Sequence, residues 1–370
     1  MVLVKKKQVI VMPLMLLLFV FYLFGYYWAI LYIPFLICVY FDKKLFWIDY
    51  LMLFVLAIGL MILSLAGIVQ FTFFPQAYDL YKINRSLFFW LSTGHLHAVR
   101  LMIAYPAVWI SDMNSLELDA AFTIYSCIAF TLIGFFFLRI LKQIKGLTAF
   151  NRGIGLLILM TLALIMNGRL IYAFLGIILI LDAEWKYRED KKGIIQLKIS
   201  EIIGLILTMV SSGTMTITAI FIVIVNIVQW IQSDGKRQRR ELFVVNVILL
   251  YPFLDKFFPY FIRFLIKNID YYGGGFNGAI GVMQHGFGKL FYSDNKSIYI
   301  IIVAVALVIV FMNMVLFIKY VIHKRHQYFF ILLITNLCVY GGVFGFSTGL
   351  LALLPVIALI LAVYFRQIKI

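Results

Sequence analysis

Long apolar runs separated by short basic clusters constrain this chain more than any other feature. Residues 199–230 make one such run of 32 residues, bounded by the clusters Lys186 to Lys198 and Lys236 to Arg240. A single α-helix of that length would measure about 48 Å at about 1.5 Å per residue, against a hydrocarbon core about 30 Å thick. The positive-inside rule assigns both flanking clusters to the cytoplasm. Two clusters on one side require an even number of crossings between them. The run is therefore expected to fold as a hairpin, with Ser211-Ser212-Gly213-Thr214 as its break.

The same parity argument covers the rest of the chain. Basic clusters at Lys5 to Lys7, Lys43-Lys44, Arg139 to Arg152, Lys319 to Arg325 and Arg366 to Lys369 are all assigned to the cytoplasm. The run 154–184 should break at Asn167-Gly168-Arg169, the run 327–365 near Gly341 to Gly345, and the run 8–41 around Gly25 to Trp28. Four hairpins and single helices at about 46–72, 119–138, 241–254 and 297–318 make about twelve transmembrane helices. The expected fold class is all-α: a polytopic integral membrane protein, one transmembrane domain over 1–370, with both termini cytoplasmic. The six tryptophans fall near the expected helix ends, as interfacial belts do.

Composition agrees. Hydrophobic side chains make up 64% of the chain, charged ones 13%, and mean hydropathy is +1.03. That is too little polar surface for a water-soluble enzyme. Most of the +16 net charge lies in the cytoplasmic clusters, so topology explains it and nucleic acid is not needed as a partner. The basic start and long apolar run at residues 1–41 read as retained membrane structure, with no small-residue cleavage site. Cys38, Cys127 and Cys338 each lie in an apolar run and read as small filler; no Cys/His spacing offers a metal site. No cofactor motif is present, and the cytoplasmic loops are too short for a nucleotide-binding domain.

Two long segments, about 73–118 and 255–296, remain as external loops, and long loops in an economical chain usually carry function. Within them, Arg100 to Trp109 and Phe257 to Ile266 read as amphipathic segments at the membrane surface. Arg169 stands in the middle of an apolar run, where arginine is costly. It reads as an anion clamp in a cavity, or as a turn residue reaching lipid headgroups. Arg263 and Lys267, four apart, would share one helical face; with Arg100 they read as phosphate ligands or as headgroup contacts. Arginine suits a diphosphate because its planar fork donates paired hydrogen bonds and stays charged.

Tyr271-Tyr272 before Gly273-Gly274-Gly275 offers platforms for sugar rings. His285 reads as a general base, a diphosphate contact or a structural histidine; His95 and His97 face the same side. The external acids include Asp79, Asp112, Glu117, Asp119, Asp255, Asp270 and Asp294. Glu117-Leu118-Asp119 could hold a metal, act as a base, or favour the positive end of the next helix. The hydroxyls of Ser211 and Ser212 could meet a substrate or tie up the backbone of a broken helix.

In layout, this chain resembles the Wzy-type O-antigen and capsule repeat-unit polymerases, including EpsG-like polymerases. The resemblance rests on Asn167-Gly168-Arg169-Leu170-Ile171-Tyr172, on Ser211-Ser212-Gly213-Thr214-Met215, and on Tyr271 to Gly275 followed by His285-Gly286-Phe287-Gly288. It implies a GT-C-like, inverting and metal-independent glycosyltransferase of the bacterial cytoplasmic (inner) membrane, acting on its outer face. The implied donor and acceptor are undecaprenyl-diphosphate-linked glycans, with membrane lipid and a chain-length regulator protein as further partners. By the same resemblance Arg169 would hold the donor diphosphate, with Arg263 or Arg100 as second clamp and His285 or an outer carboxylate as base. Tyr271, Tyr272, Ser211, Ser212 and His95 would line the sugar and acceptor side. A lipid-linked oligosaccharide flippase would have a similar helix count, but should carry charges at the membrane centre. A GT-C enzyme with a monosaccharide lipid donor would use Glu117 and Asp119 as an acidic metal-type pair.

Overall fold

The computed structural model describes residues 13, 15–31, 33, 36, 40, 45–68, 75–95, 97–143, 147–165, 170–190, 193–210, 212–233, 235–286, 297, 298, 301, 304, 308, 311 and 315. Every regular element among them is helical. The chain divides into two compact units, Met1–Ile178 and Leu179–Ile370.

In the first unit, residues 15–23 are helical and the chain turns at Phe24 and Gly25, within the break expected for the first run. A short 3₁₀ segment, Tyr27–Leu31, follows. The helices are then α1 (Trp47–Leu65), α2 (Pro75–Ile83), α3 (Leu87–Ser92), α4 (Ala98–Asn114), α5 (Leu118–Gln143), α6 (Ala149–Ile165) and α7 (Leu170–Asp190), the last running across the division. The centre is α5. Its apolar residues point all round the helix, and most are buried by its neighbours, as expected of a helix with no water-facing side.

Contacts along α5 give the directions of the helices. The Lys142 ammonium lies 3.5 Å from the Phe46 ring centre, Gly134 faces Leu53 and Leu56, and Ser64 Oγ meets Cys127 Sγ at 3.8 Å. Falling numbers on one helix meet rising numbers on the other, so α1 and α5 are antiparallel. Asp49 pairs with Arg152, and Gly153 faces Met52, so α1 and α6 run parallel with their starts together. These directions agree with a charge-based topology in which α1 and α6 both leave the basic side and α5 returns to it.

In the second unit α8 (Ile194–Thr208) and α9 (Ser212–Gln232) form an antiparallel pair, with Lys198 beside Gln229 and Glu201 beside Asn226. The hairpin expected for 199–230 is present. Its break comes just before the expected one, because Ser212 already opens α9. Then α10 (Lys236–Val245), a π-helical turn at Asn246–Leu250 and α11 (Tyr251–Tyr271) run on without a gap, and α12 (Gly275–Gly286) folds back.

Three helices among the described residues are long and apolar enough to cross a membrane: Trp47–Ser64, Leu118–Gln143 and Lys236–Tyr260. They coincide with three of the four segments expected to cross singly, which makes the chain a candidate membrane protein. In the fourth, 297–318, the described residues 297, 298, 301, 304, 308, 311 and 315 are helical. The expected breaks at Asn167 to Arg169 and Gly341 to Gly345 lie outside the described residues, as do Cys38 and Cys338. Cys127 is buried, as filler should be.

The two segments expected as loops are largely helical where described. Residues 73–118 contain α2, α3 and α4, and the crossing expected at 241–254 continues as helix to Tyr271. Neither Pro106 in α4 nor Pro259 in α11 ends its helix. The segment Arg100 to Trp109 is amphipathic, but Leu101, Ala104, Ala107 and Val108 are buried inside the protein rather than set against lipid. Their spacing supplies one apolar helix face, and α5 offers the apolar partner. Trp90 also departs from an interfacial role: it is buried, and its indole N–H donates to the Asn84 carbonyl at 2.8 Å.

Candidate functional site

The turn from α3 into α4 gathers an aromatic ring, two imidazoles and a guanidinium. Ser86 caps α3, accepting the Phe89 N–H at 3.3 Å, and thereby orients the short helix that carries Trp90. Past Gly94 the chain turns back, and the His95 ring meets Trp90 edge-on at 5.2 Å between centres. The rings of His95 and His97 lie 5.6 Å apart, and Arg100 Nη1 is 3.3 Å from His97 Nδ1. Arg100 stands in the first turn of α4, and His97 holds the N-cap position without making a side-chain cap bond. The helix's positive end and the guanidinium therefore coincide.

Hydrogen bonds set the proton positions here. The backbone N–H of His97 donates to His95 Nδ1 at 3.3 Å. Arginine only donates, so His97 Nδ1 accepts from Arg100. Each neutral ring therefore carries its proton on Nε2. In this arrangement both imidazoles present donors, suited to anionic oxygen and unsuited to removing a proton.

Flanking charges are largely committed. Arg85 pairs with Asp112, and the Tyr78 hydroxyl donates to Asp119 Oδ2 at 2.9 Å. The Tyr78 hydrogen bond, with attraction from Asp119 and Asp79, holds Lys82 above the ordinary lysine value. Asp119 also lies in the first turn of α5, the structural role weighed for it. Among the described residues no group of three His, Cys, Asp or Glu side chains is placed to hold a metal.

In the second unit Arg263 and Lys267 are both exposed on α11, one turn apart, as their spacing implied. At its end Tyr271 is 82% exposed and meets Tyr272 edge-on at 5.1 Å. Burial, with Tyr271 beside it, pushes the Tyr272 phenol up. Gly273, at φ +107°, makes the turn that follows, a conformation costly for other residues. Gly278 lets α12 return against α11: a Cβ there would stand 2.2 Å from the Ile269 carbonyl oxygen.

The remaining expected residues divide simply. His285 lies in α12 and Ser212 at the start of α9, but their side chains are outside the described residues. Arg169 and Ser211 are outside them altogether. Arg100, His95 and His97 are brought together in one unit, and Arg263, Lys267, Tyr271 and Tyr272 stand along one helix in the other.

Sequence reasoning missed a buried ionic network in the second unit. Lys198, Glu201 and Glu184 are each 0% exposed. Lys198 Nζ donates to Glu201 at 2.9 and 3.1 Å and to the Asn226 amide oxygen. Gln229 Nε2 donates to both Glu184 oxygens at 2.9 and 2.7 Å, while its own amide oxygen faces Lys198 Nζ at 3.5 Å. The sequence places Lys198 at the end of the basic cluster that begins at Lys186. The legible signal was its spacing from Glu201, and that of Asn226 from Gln229, three residues each on one helix face.

No protein-family model, no curated protein and no solved structure matches this chain.

Proposed function

We propose that this chain is a membrane glycosyltransferase that polymerises undecaprenyl-diphosphate-linked repeat units into O-antigen or capsular polysaccharide on the outer face of a bacterial cytoplasmic membrane. The observation that carries the reading is the Trp90–His95–His97–Arg100 cluster, which supplies cationic and N–H donors beside an aromatic face. In the reaction the acceptor hydroxyl attacks the anomeric carbon of the donor glycan. The bond from that carbon to the diphosphate oxygen breaks, the diphosphate leaves with the electron pair, and the hydroxyl proton passes to a base. Arg100 and the Nε2–H groups stabilise the charge developing on the leaving oxygens. Arg169, in the same unit, is the further diphosphate ligand in this reading. His95 belongs with the donors rather than the bases.

Arg100→Ala and Arg169→Ala should each abolish polymer in cells while single-repeat surface glycan and protein level stay unchanged. Normal chain-length ladders in both variants would refute the clamp. Purified protein given lipid-diphosphate repeat units should elongate them in chelator; an absolute need for divalent metal would move the assignment to the Glu117 and Asp119 pair.

A second reading has one observation in its favour. The buried Lys198–Glu201–Glu184 network places charge inside a helical unit, which a lipid-linked oligosaccharide flippase would use. Glu201 stands midway along α8, and Glu184 and Gln229 lie in the second halves of α7 and α9. Transport of lipid-linked glycan without elongation by reconstituted protein would establish this reading over the first.

A further inference from the structure

Between α1 and α6 in the first unit runs a groove of about 560 Å³, lined by Ile48, Met52, Val55, Phe150, Gly153 and Leu157 among other wholly apolar residues. Its floor exists because Gly153 has no side chain: a Cβ there would already come within 3.3 Å of Met52 Sδ. Its rim is exposed at Leu51, Val55, Phe150 and Leu157. α1 is apolar and long enough to cross a bilayer, and in one that it crosses the rim would meet hydrocarbon.

The two ends of the groove differ. At one end α1 and α6 both begin and α5 terminates, so two positive helix ends and one negative end meet there, with Asp49 already in the first turn of α1. Lys142 stands at that end on the ring of Phe46, two residues before the lining residue Ile48, and Arg152 donates to Asp49 at 2.7 Å and to the Leu147 carbonyl at 3.0 Å. In sequence, the basic cluster Lys43-Lys44 precedes α1, and the cluster Arg139 to Arg152 spans the end of α5 and the start of α6. The charge asymmetry of the chain assigns this end of the groove to the cytoplasmic leaflet. Basic sites between helices at that depth select anionic headgroups, while an apolar groove beside them takes a tail.

We propose that the α1–α6 groove binds one acyl chain of an anionic phospholipid of the cytoplasmic leaflet, with its phosphate at Lys142. The occupant is a two-tailed anionic phospholipid because attraction and apolar length are both required. A zwitterionic lipid would gain the groove without net attraction, and free phosphate would gain the charge without the groove. The site stands on the opposite face from the proposed glycan chemistry and does not depend on it.

Native mass spectrometry of the full chain, released from nanodiscs of equal phosphatidylglycerol and phosphatidylcholine, reads the site directly. The natural chain should retain one phosphatidylglycerol over phosphatidylcholine. Lys142→Gln should cut that preference roughly fivefold while still retaining lipid. Val55→Trp fills the groove from its exposed rim without disturbing the core, and should lose the retained lipid of both kinds. Gly153→Leu should do the same, and intact α-helical circular dichroism separates loss of binding from loss of fold. Equal retention of the two lipids by the natural chain, or unchanged retention in Val55→Trp, overturns the proposal. So does competition by inorganic phosphate alone, or a lipid-free dimer that Val55→Trp dissociates, which would give the groove to a second copy of the chain.

Discussion

Arg152 and Asp49 show how a residue of a basic cluster becomes part of the core. Arg152 Nε donates to Asp49 Oδ1 at 2.7 Å, and the other carboxylate oxygen accepts the Phe46 backbone N–H at 3.0 Å. Both residues are buried, so removing one leaves the other charged and without its partner. Asp49→Ala or Arg152→Ala should each cost about 3–5 kcal/mol, whereas replacing both with leucine should recover most of the loss. Thermal unfolding of the purified variants checks this; single losses below about 1 kcal/mol would show that water reaches the pair. His95 teaches a second lesson at the same scale. Its candidacy was legible, but its proton position depends on a backbone N–H two residues away that composition does not report.

The hairpin of α11 and α12 is set by two glycines that act differently. Gly273 makes the turn through its backbone angle, and Gly278 permits close approach of the returning helix. Gly278→Val would drive side-chain carbons into the Ile269 carbonyl, so α12 should separate from α11 while α11 stays helical. Hydrogen exchange should then rise across residues 275–286 and remain unchanged across 251–265; uniform protection would contradict the contact. The amphipathic helices belong to this scale too. Pattern made α4 and α11 recognisable as helices, yet it could not tell lipid from protein as the partner of the apolar face. For α4 the answer is protein, because α5 presents an apolar surface alongside it.

Across the whole molecule, the charge pattern assigns a side to every basic cluster. In a chain with Cys38, Cys127 and Cys338 replaced by alanine, single cysteines at Lys43 and Arg237 should react only with reagent added from the cytoplasmic side. Cysteines at Ser86 and Tyr271 should react only from outside. Outside labelling at Arg237 would break the parity argument and the twelve-crossing count with it. Alternating apolar runs and basic clusters are one-dimensional properties, so the sequence by itself determined that the chain is helical, where three apolar helices lie and that 199–230 must double back. Burial is not a property of a run. Lys198 lies in a basic stretch by sequence, and only the return of α9, some 28 to 31 residues later, encloses it with Asn226 and Gln229. Likewise Arg100 is one cation among several until α3 and α4 bring it to His97, His95 and Trp90. The tertiary structure decided those groupings because the free energy of a buried charge depends on partners in three dimensions, which spacing along one helix does not contain.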